Sequence, residues 1–330
     1  MDSVAFRPPF WLANPHLQSM LPSSSLRRAF VGRGAAALLA ASRAVTVDCG
    51  DGVRLAGHYS PLPGGARDLV LLVHGWEGSA ESQYVLSAAQ YLYARDFEIF
   101  RLNLRDHGAS HHLNAELFHS CRIAEVVGAV RSVQAMFPDR TLSLVGYSLG
   151  GNFALRVAAR APAAGIRLRQ VVAICPVLDP VQTLTSLENG LWIYRSYFVL
   201  KWRKSLRKKR LAWPDLYDLE DLLDSRNLTG LTEKLVLKYT EFPNLLSYLN
   251  GYALTGDALR DLAVPCRIIT SLDDPIIPAR DLKRLASSPP LWITVAPHGG
   301  HCGFLESLRG ETWADREVYS TLAVAHGRAA

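Results

Sequence analysis

Cysteine is sparse in this sequence, and nothing in its spacing suggests pairing. Cys49, Cys121, Cys175, Cys266 and Cys302 are scattered, odd in number and without a C-x-x-C pair. That pattern argues against a disulfide framework and against a cysteine zinc site, and favours a reducing compartment. Long hydrophobic runs are also missing. The block from Ala35 to Ala41 is short and flanked by Arg33 and Arg43, so no stretch spans a bilayer. Met1 to Phe10 has no basic region followed by an apolar one, which argues against a signal peptide. A cytoplasmic enzyme is the resulting expectation. Neither G-x-x-x-x-G-K nor G-x-G-x-x-G occurs, so no phosphate-cradling loop is expected, and we expect no cofactor.

What is present describes a globular protein with a sizeable core: 49% hydrophobic and 20% charged residues over 330 positions. The length suits one large α/β domain with insertions, or two small ones. A net charge of +6 permits anionic partners, but much of the excess is concentrated between Lys201 and Arg210.

Thr141 to Gly151 organises the chain. Leu142, Leu144 and Val145 form a short apolar run, the pattern of a strand buried on both faces. It runs into Gly146-Tyr147-Ser148-Leu149-Gly150, a G-x-S-x-G elbow, and then into a helical pattern up to Arg160. The elbow holds its serine in a strained conformation above the sheet. Glycine two residues to either side lets strand and helix pass closely.

Residues 1–43, with Pro8, Pro9, Pro15 and Pro22, read as an irregular N-terminal extension. A hairpin is expected at 44–48 and 53–59, turning at the glycines. Strands at 68–73 and 98–104 alternate with helices at 81–95 and 120–137, the second capped by Ser120. After the elbow and its helix comes a strand at 170–177. This alternation predicts a parallel sheet with helices on both faces. It breaks at 180–262, which reads as an inserted helical cap. It resumes with strands at 266–270 and 291–295, a helix near 279–286, and a terminal helix from Glu311. The core is then 44–179 with 263–330.

Acyl transfer by a serine needs a base, an orienting acid and an oxyanion hole, here in the order Ser, Asp, His. With Ser148 as nucleophile, the acid lies in Leu272-Asp273-Asp274-Pro275 and the base in His298-Gly299-Gly300-His301. Both follow predicted strands, where ligands gather in open α/β sheets. Asp274 begins a turn that fixes its backbone, and Asp273 reads as a cap of that turn or of the following helix. The glycines before His301 allow close approach to the serine, whereas His298 reads as a rim residue. The backbone N–H groups of Leu149 and Trp76 are the expected oxyanion donors. His74, Gly75 and Tyr147 are the candidate pocket residues. His107, His111, His112 and His119 have no recognised ligand spacing, and read as a solvated loop rather than a metal site.

These residues resemble the α/β-hydrolase superfamily, and within it the YheT-like group related to eukaryotic abhydrolase-domain lipases. Asn14-Pro15-His16-Leu17-Gln18, His74-Gly75 with Gly78-Ser79, Gly146 to Asn152, Asp273-Asp274-Pro275, and His298 to His301 with Gly303-Phe304 carry the narrower match. The resemblance implies an eight-stranded, mostly parallel sheet with a helical cap, and hydrolysis of carboxylic esters by Ser148, His301 and Asp274. Many relatives carry a basic, glycine-containing turn where this chain has Arg105-Asp106-His107-Gly108, a difference that bears on substrate choice. A thioesterase, amidase or acyltransferase would use the same three residues. A catalytically silent binding scaffold is the reading from another class.

The expected partner is a small-molecule or lipid-like ester. Leu191, Tyr194, Phe198, Trp202 and Leu206 recur on one helical face. The bland reading of the basic run after them is a solvated helix end. The sharper one is weak peripheral contact between the basic cap helix and anionic membranes. No nucleic acid is expected, since no aromatic stacking platform accompanies the charges.

Overall fold

In a computed structural model the sheet is built outward from its most apolar strands. The structure describes residues 2–3 and 6–327. The strands are β1 (Asp2–Ser3), β2 (Arg43–Asp48), β3 (Arg54–Ser60), β4 (Asp68–Val73), β5 (Glu98–Leu102), β6 (Thr141–Tyr147), β7 (Leu168–Ile174), β8 (Cys266–Ser271) and β9 (Leu291–Ala296). Their spatial order is β1-β9-β8-β7-β6-β4-β5-β3-β2. β4 and β6 lie centrally and are almost wholly buried, as continuous apolar runs require when helices cover both faces. Eight full strands make one mixed sheet, parallel from β9 to β5 with the β2–β3 hairpin antiparallel at the edge. A two-residue pairing of β1 with β9 extends the other edge. Met1, Val4 and Ala5, part of the segment read for a signal peptide, lie outside the described residues.

Three local readings change. Residues 15–40, read as irregular, contain helices at Pro15–Met20, Ser25–Gly34 and Ala36–Ala40. Pro15 occupies the first helical position, where its missing N–H costs nothing, and the Asn14 side chain caps the amides of His16 and Leu17. Ser120 does not cap the following helix, which runs Ile123–Met136 behind Arg122. Its amide donates instead to the Tyr248 hydroxyl, 3.0 Å away. The segment after β8 tightens into a six-residue 3₁₀ helix, Ala279–Arg284.

Between β7 and β8 the chain forms helices Pro180–Asn189, Trp192–Ala212, Glu220–Leu223, Leu228–Tyr239 and Leu245–Asn250, with no strand among the described residues there. The longest lays Tyr194, Trp202 and Leu206 inward, while Leu191 precedes its first turn and is exposed. Its basic end is not uniformly solvated. Lys209 is buried, and its Nζ donates to Asp106 Oδ1 at 2.8 Å, Asn114 O at 2.8 Å and Glu116 O at 2.9 Å. Next to it the buried Arg105 guanidinium binds Glu125 through two nitrogens and Glu116 through a third. Burial raises the Asp106 pKa, and the Lys209 ammonium pulls against that rise.

Lys209→Met should therefore strand the Asp106 carboxylate and cost about 3–5 kcal/mol. Arg210→Met, which breaks a solvent-exposed pair with Glu220, should cost under about 1 kcal/mol. Thermal or urea unfolding of the two variants checks the contrast, and equal losses would contradict it.

Candidate active site

Ser148 sits between β6 and the helix Leu149–Arg160 with φ +52° and ψ −117°, a conformation that a side chain-bearing residue adopts only under strain. Close backbone packing enforces it. A Cβ on Gly146 would lie 2.2 Å from Gly150 O, and one on Gly150 would lie 2.4 Å from the His74 and Val73 carbonyls. The Ser148 amide donates to Ile174 O at 2.8 Å, fixing the turn against β7. Leu149 opens the helix behind it, so its N–H belongs to the first turn, where amides have no intrahelical acceptor.

Ser148 Oγ lies 2.9 Å from His301 Nε2, and His301 Nδ1 lies 2.9 Å from Asp274 Oδ2. The other Asp274 oxygen accepts the amides of Ile276 and Ile277 at 2.8 and 2.9 Å. The Asp-Pro turn thus holds a fully buried carboxylate with one oxygen left for the imidazole. Burial opposes the charged imidazolium of His301, but the facing Asp274 carboxylate and the neighbouring Cys302 sulfur together outweigh it and raise the pKa well above the ordinary value.

Asp273 takes neither expected capping role. Its Oδ1 accepts the Gly300 amide at 2.9 Å and its Oδ2 faces His298 Nδ1 at 3.3 Å, so it pins the loop that carries His301. His298 is half exposed at the rim.

A second support comes from the helix Pro15–Met20. Ser19 Oγ accepts the His301 amide at 2.8 Å. Buried Gln18 accepts from the Leu305 amide at 2.7 Å and donates to the Leu305 carbonyl at 2.9 Å. Gly303 packs so closely that a Cβ would stand 2.1 Å from Gln18 O. The sequence signal for this contact was the Asn14–Gln18 motif, but a motif names no partner.

Above Ser148 and His301 is a cavity of about 90 Å³ walled by Trp76, Leu187, Phe198, Trp202, Leu235 and Tyr248. Trp76 stacks on Phe198 at 5.1 Å and meets Trp202 edge-on at 5.0 Å, so the core loop and the longest cap helix share one aromatic wall.

The pocket candidates need correction. His74 is fully buried beneath the loop, with Nδ1 2.7 Å from Gly75 O and Nε2 accepting the Leu104 amide at 3.1 Å. Tyr147 alternates to the opposite sheet face and packs on Tyr84 in a different core cluster. Gly75 lies against Ser148, where an added Cβ would be 3.1 Å from the serine Cβ. Its amide is already given to the Tyr84 hydroxyl at 3.0 Å. None of the three lines the cavity, whereas the Trp76 side chain does.

The histidine loop is also not solvated. His107, His111 and His119 are buried beneath the cap, and only His112 is exposed. His107 accepts the Glu77 amide at 3.1 Å, and His111 Nε2 lies 2.9 Å from Ser205 Oγ on the cap helix. Burial lowers their pKa values to about 4 for His107 and about 3 for His111 and His119.

Comparison with known proteins bears on this site. A family model described as alpha/beta hydrolase fold matches residues 68–308. The chain is similar to the putative esterase YheT of Escherichia coli (strain K12), 25% identical over 96% of this chain and 92% of that protein. It is also similar to the phospholipase ABHD3 of Homo sapiens, 19% identical over 79% of this chain and 65% of the relative. Among solved structures, the Pyrococcus furiosus esterase Pf2001 superposes with a TM-score of 0.55 at 14% identity, covering 87% of this chain and 91% of that one. At that identity the superposition speaks to fold alone.

The buried histidines set a stability gradient. Above about pH 6.5 they are neutral folded and unfolded. Between there and about pH 4 the unfolded chain binds protons that the folded chain refuses, so stability falls with pH. His111→Asn should unfold earlier than the wild type at pH 7.5, and the gap in melting temperature should narrow toward pH 5. A gap that widens would contradict neutral burial of His111.

Proposed function

The chain belongs to the α/β-hydrolase fold family, and on that premise we propose that it is a serine hydrolase cleaving carboxylic esters. The observation that supports this reading most is the unbroken chain of contacts from Ser148 Oγ through His301 to Asp274. In the proposed reaction Ser148 Oγ bonds to the ester carbonyl carbon while His301 Nε2 takes the hydroxyl proton. Asp274 holds the imidazole through its Nδ1–H. Negative charge gathers on the carbonyl oxygen, where the Leu149 and Trp76 amides donate to it. The intermediate collapses by breaking the ester C–O bond, and His301 returns its proton to the leaving alcohol. Water then repeats the sequence on the acyl-enzyme, releasing the acid and Ser148. No step needs a metal or cofactor.

The apolar walls of the cavity favour an ester with an apolar acyl group, small-molecule or lipid-like. Thioester, amide and acyl-acceptor chemistry would pass through the same acyl-enzyme, and an ester panel varying acyl length and leaving group separates them. A silent binding scaffold would leave Ser148 unlabelled by a fluorophosphonate. We place the enzyme in the cytoplasm, since its five scattered, unpaired cysteines favour a reducing compartment.

One observation favours a further reading, weak contact with anionic membranes. Exposed Trp192 and Leu200 share the longest cap helix with exposed Lys201, Lys204, Arg207 and Lys208. Wild type should sediment with phosphatidylserine vesicles at low salt and not at high salt, and replacing Lys204, Arg207 and Lys208 by Gln should weaken it. Absence of pelleting at low salt would dismiss this contact. Lys209 is left intact because it is structural.

Ser148→Ala should abolish fluorophosphonate labelling and lower ester turnover by several orders of magnitude, leaving roughly 10³-fold over water. Asp274→Asn should lower kcat by about four decades, following the known effect of that change in serine proteases, and Asp273→Asn by far less. Parallel kinetics with the reverse ranking would move the acid to Asp273.

A further inference from the structure

The sequence carries no cysteine metal motif, yet the fold brings two cysteines and a histidine to one point. Cys175 follows β7 and Cys302 follows His301, with left-handed φ values of +43° and +59°. The Cys302 amide donates to Cys175 Sγ at 3.4 Å. The thiols reach across reciprocally: Cys175 Sγ lies 3.8 Å from Gly300 O, and Cys302 Sγ lies 3.7 Å from Ile174 O. One nitrogen of His301 and the two sulfurs all fall within 4.8 Å of one another.

We propose that Cys175, Cys302 and His301 form a capture site for a soft divalent cation of the zinc type, and that its occupation switches the hydrolase off. Two sulfurs and an imidazole nitrogen suit zinc or cadmium and disfavour magnesium and calcium, which require oxygen ligands. Tetrahedral zinc with bonds of about 2.3 Å to sulfur and 2.0–2.1 Å to nitrogen needs ligand atoms roughly 3.3–3.8 Å apart. Side-chain rotation of about an ångström closes the present cluster to that size. The cation replaces the two thiol protons, which pass to solvent, so metal and thiolates together add no net charge to a buried site. Of the three ligands, His301 lines the cavity above Ser148.

Inhibition follows from the imidazole. Nε2 is engaged by Ser148 and Nδ1 by Asp274. A metal bond to either nitrogen breaks one of these contacts. Loss of the first removes the base from the nucleophile, and loss of the second removes the group that orients it. The inhibitory half rests on the hydrolase reading, and the binding half does not.

The test titrates reduced, chelator-stripped protein with Cd²⁺ and Zn²⁺. Cadmium–thiolate ultraviolet absorption should rise to one equivalent per chain. Zinc affinity is read by competition with a chromophoric chelator, and ester turnover is followed in parallel. Turnover should fall with occupancy and return with EDTA. Cys175→Ser and Cys302→Ser should lose the cadmium band, and whatever ester turnover each retains should no longer fall when metal is added. Each should weaken zinc by more than about a hundredfold, since losing a ligand exceeds the 10–100-fold loss from an outer partner. Cys121→Ser should behave as wild type. If one serine variant fails to fold, the other carries the comparison. Absence of the cadmium band, its survival in both serine variants, or full occupancy with unchanged turnover would overturn the proposal. Protein inactive on every ester before any metal is added would instead sink the hydrolase reading, with the cadmium band still deciding the binding half.

Discussion

Close passage of two backbones at Ser148 is the constraint on which the rest of the structure depends. Gly146 and Gly150 allow β6, the loop after β4 and the following helix to meet at distances that exclude any Cβ. That contact forces φ positive at the serine and lifts its hydroxyl off the sheet. Every other feature of the site is arranged around that fixed hydroxyl. The strand ends supply the facing loops, and those loops need only short, tightly held turns to reach it.

Rigidity of the facing groups has separate origins. Asp274 is held by two amides of its own turn, so its orientation is a local matter. His301 is held by contacts distant in sequence: Ser19 on its amide and Asp273 on the preceding glycine. The N-terminal helix is therefore part of the framework of the site. Gln18, with amide oxygen and nitrogen both spent on the backbone of Leu305, is buried as fully as any apolar core residue.

The cap is joined to the core by two kinds of interaction. The aromatic wall of Trp76, Phe198 and Trp202 buries apolar area and encloses the cavity. The Lys209–Asp106 ion pair and the two carbonyl contacts beside it contribute less to net stability, because desolvating the charges offsets most of their attraction. Their geometry is nonetheless restrictive. Lys209 has one buried position that satisfies its three protons, which fixes where the long helix crosses the 105–120 loop and seals the histidines beneath it.

Features that depend on residues near one another in the chain were legible from the sequence itself. The buried runs of β4 and β6, the alternation of strands and helices, and the G-x-S-x-G turn all rest on spacing and local sterics. So did the placement of Ser148, Asp274 and His301 at strand ends, where the tertiary structure brings them within hydrogen-bond reach. What the sequence could not determine was the direction in which a side chain faces once distant segments pack. Lys209 reads as one more cation in a basic run, and His111 as part of a polar loop, until the cap covers both. Tyr147 and Trp76 flank the same turn regions, yet strand alternation sends Tyr147 to the far face while the loop turns Trp76 to the cavity. Cys175 and Cys302 lie 127 residues apart, and only the parallel ordering of the strands that carry them makes them neighbours. Local spacing determined which backbone shapes this chain forms, and long-range burial decided which of its polar groups meet.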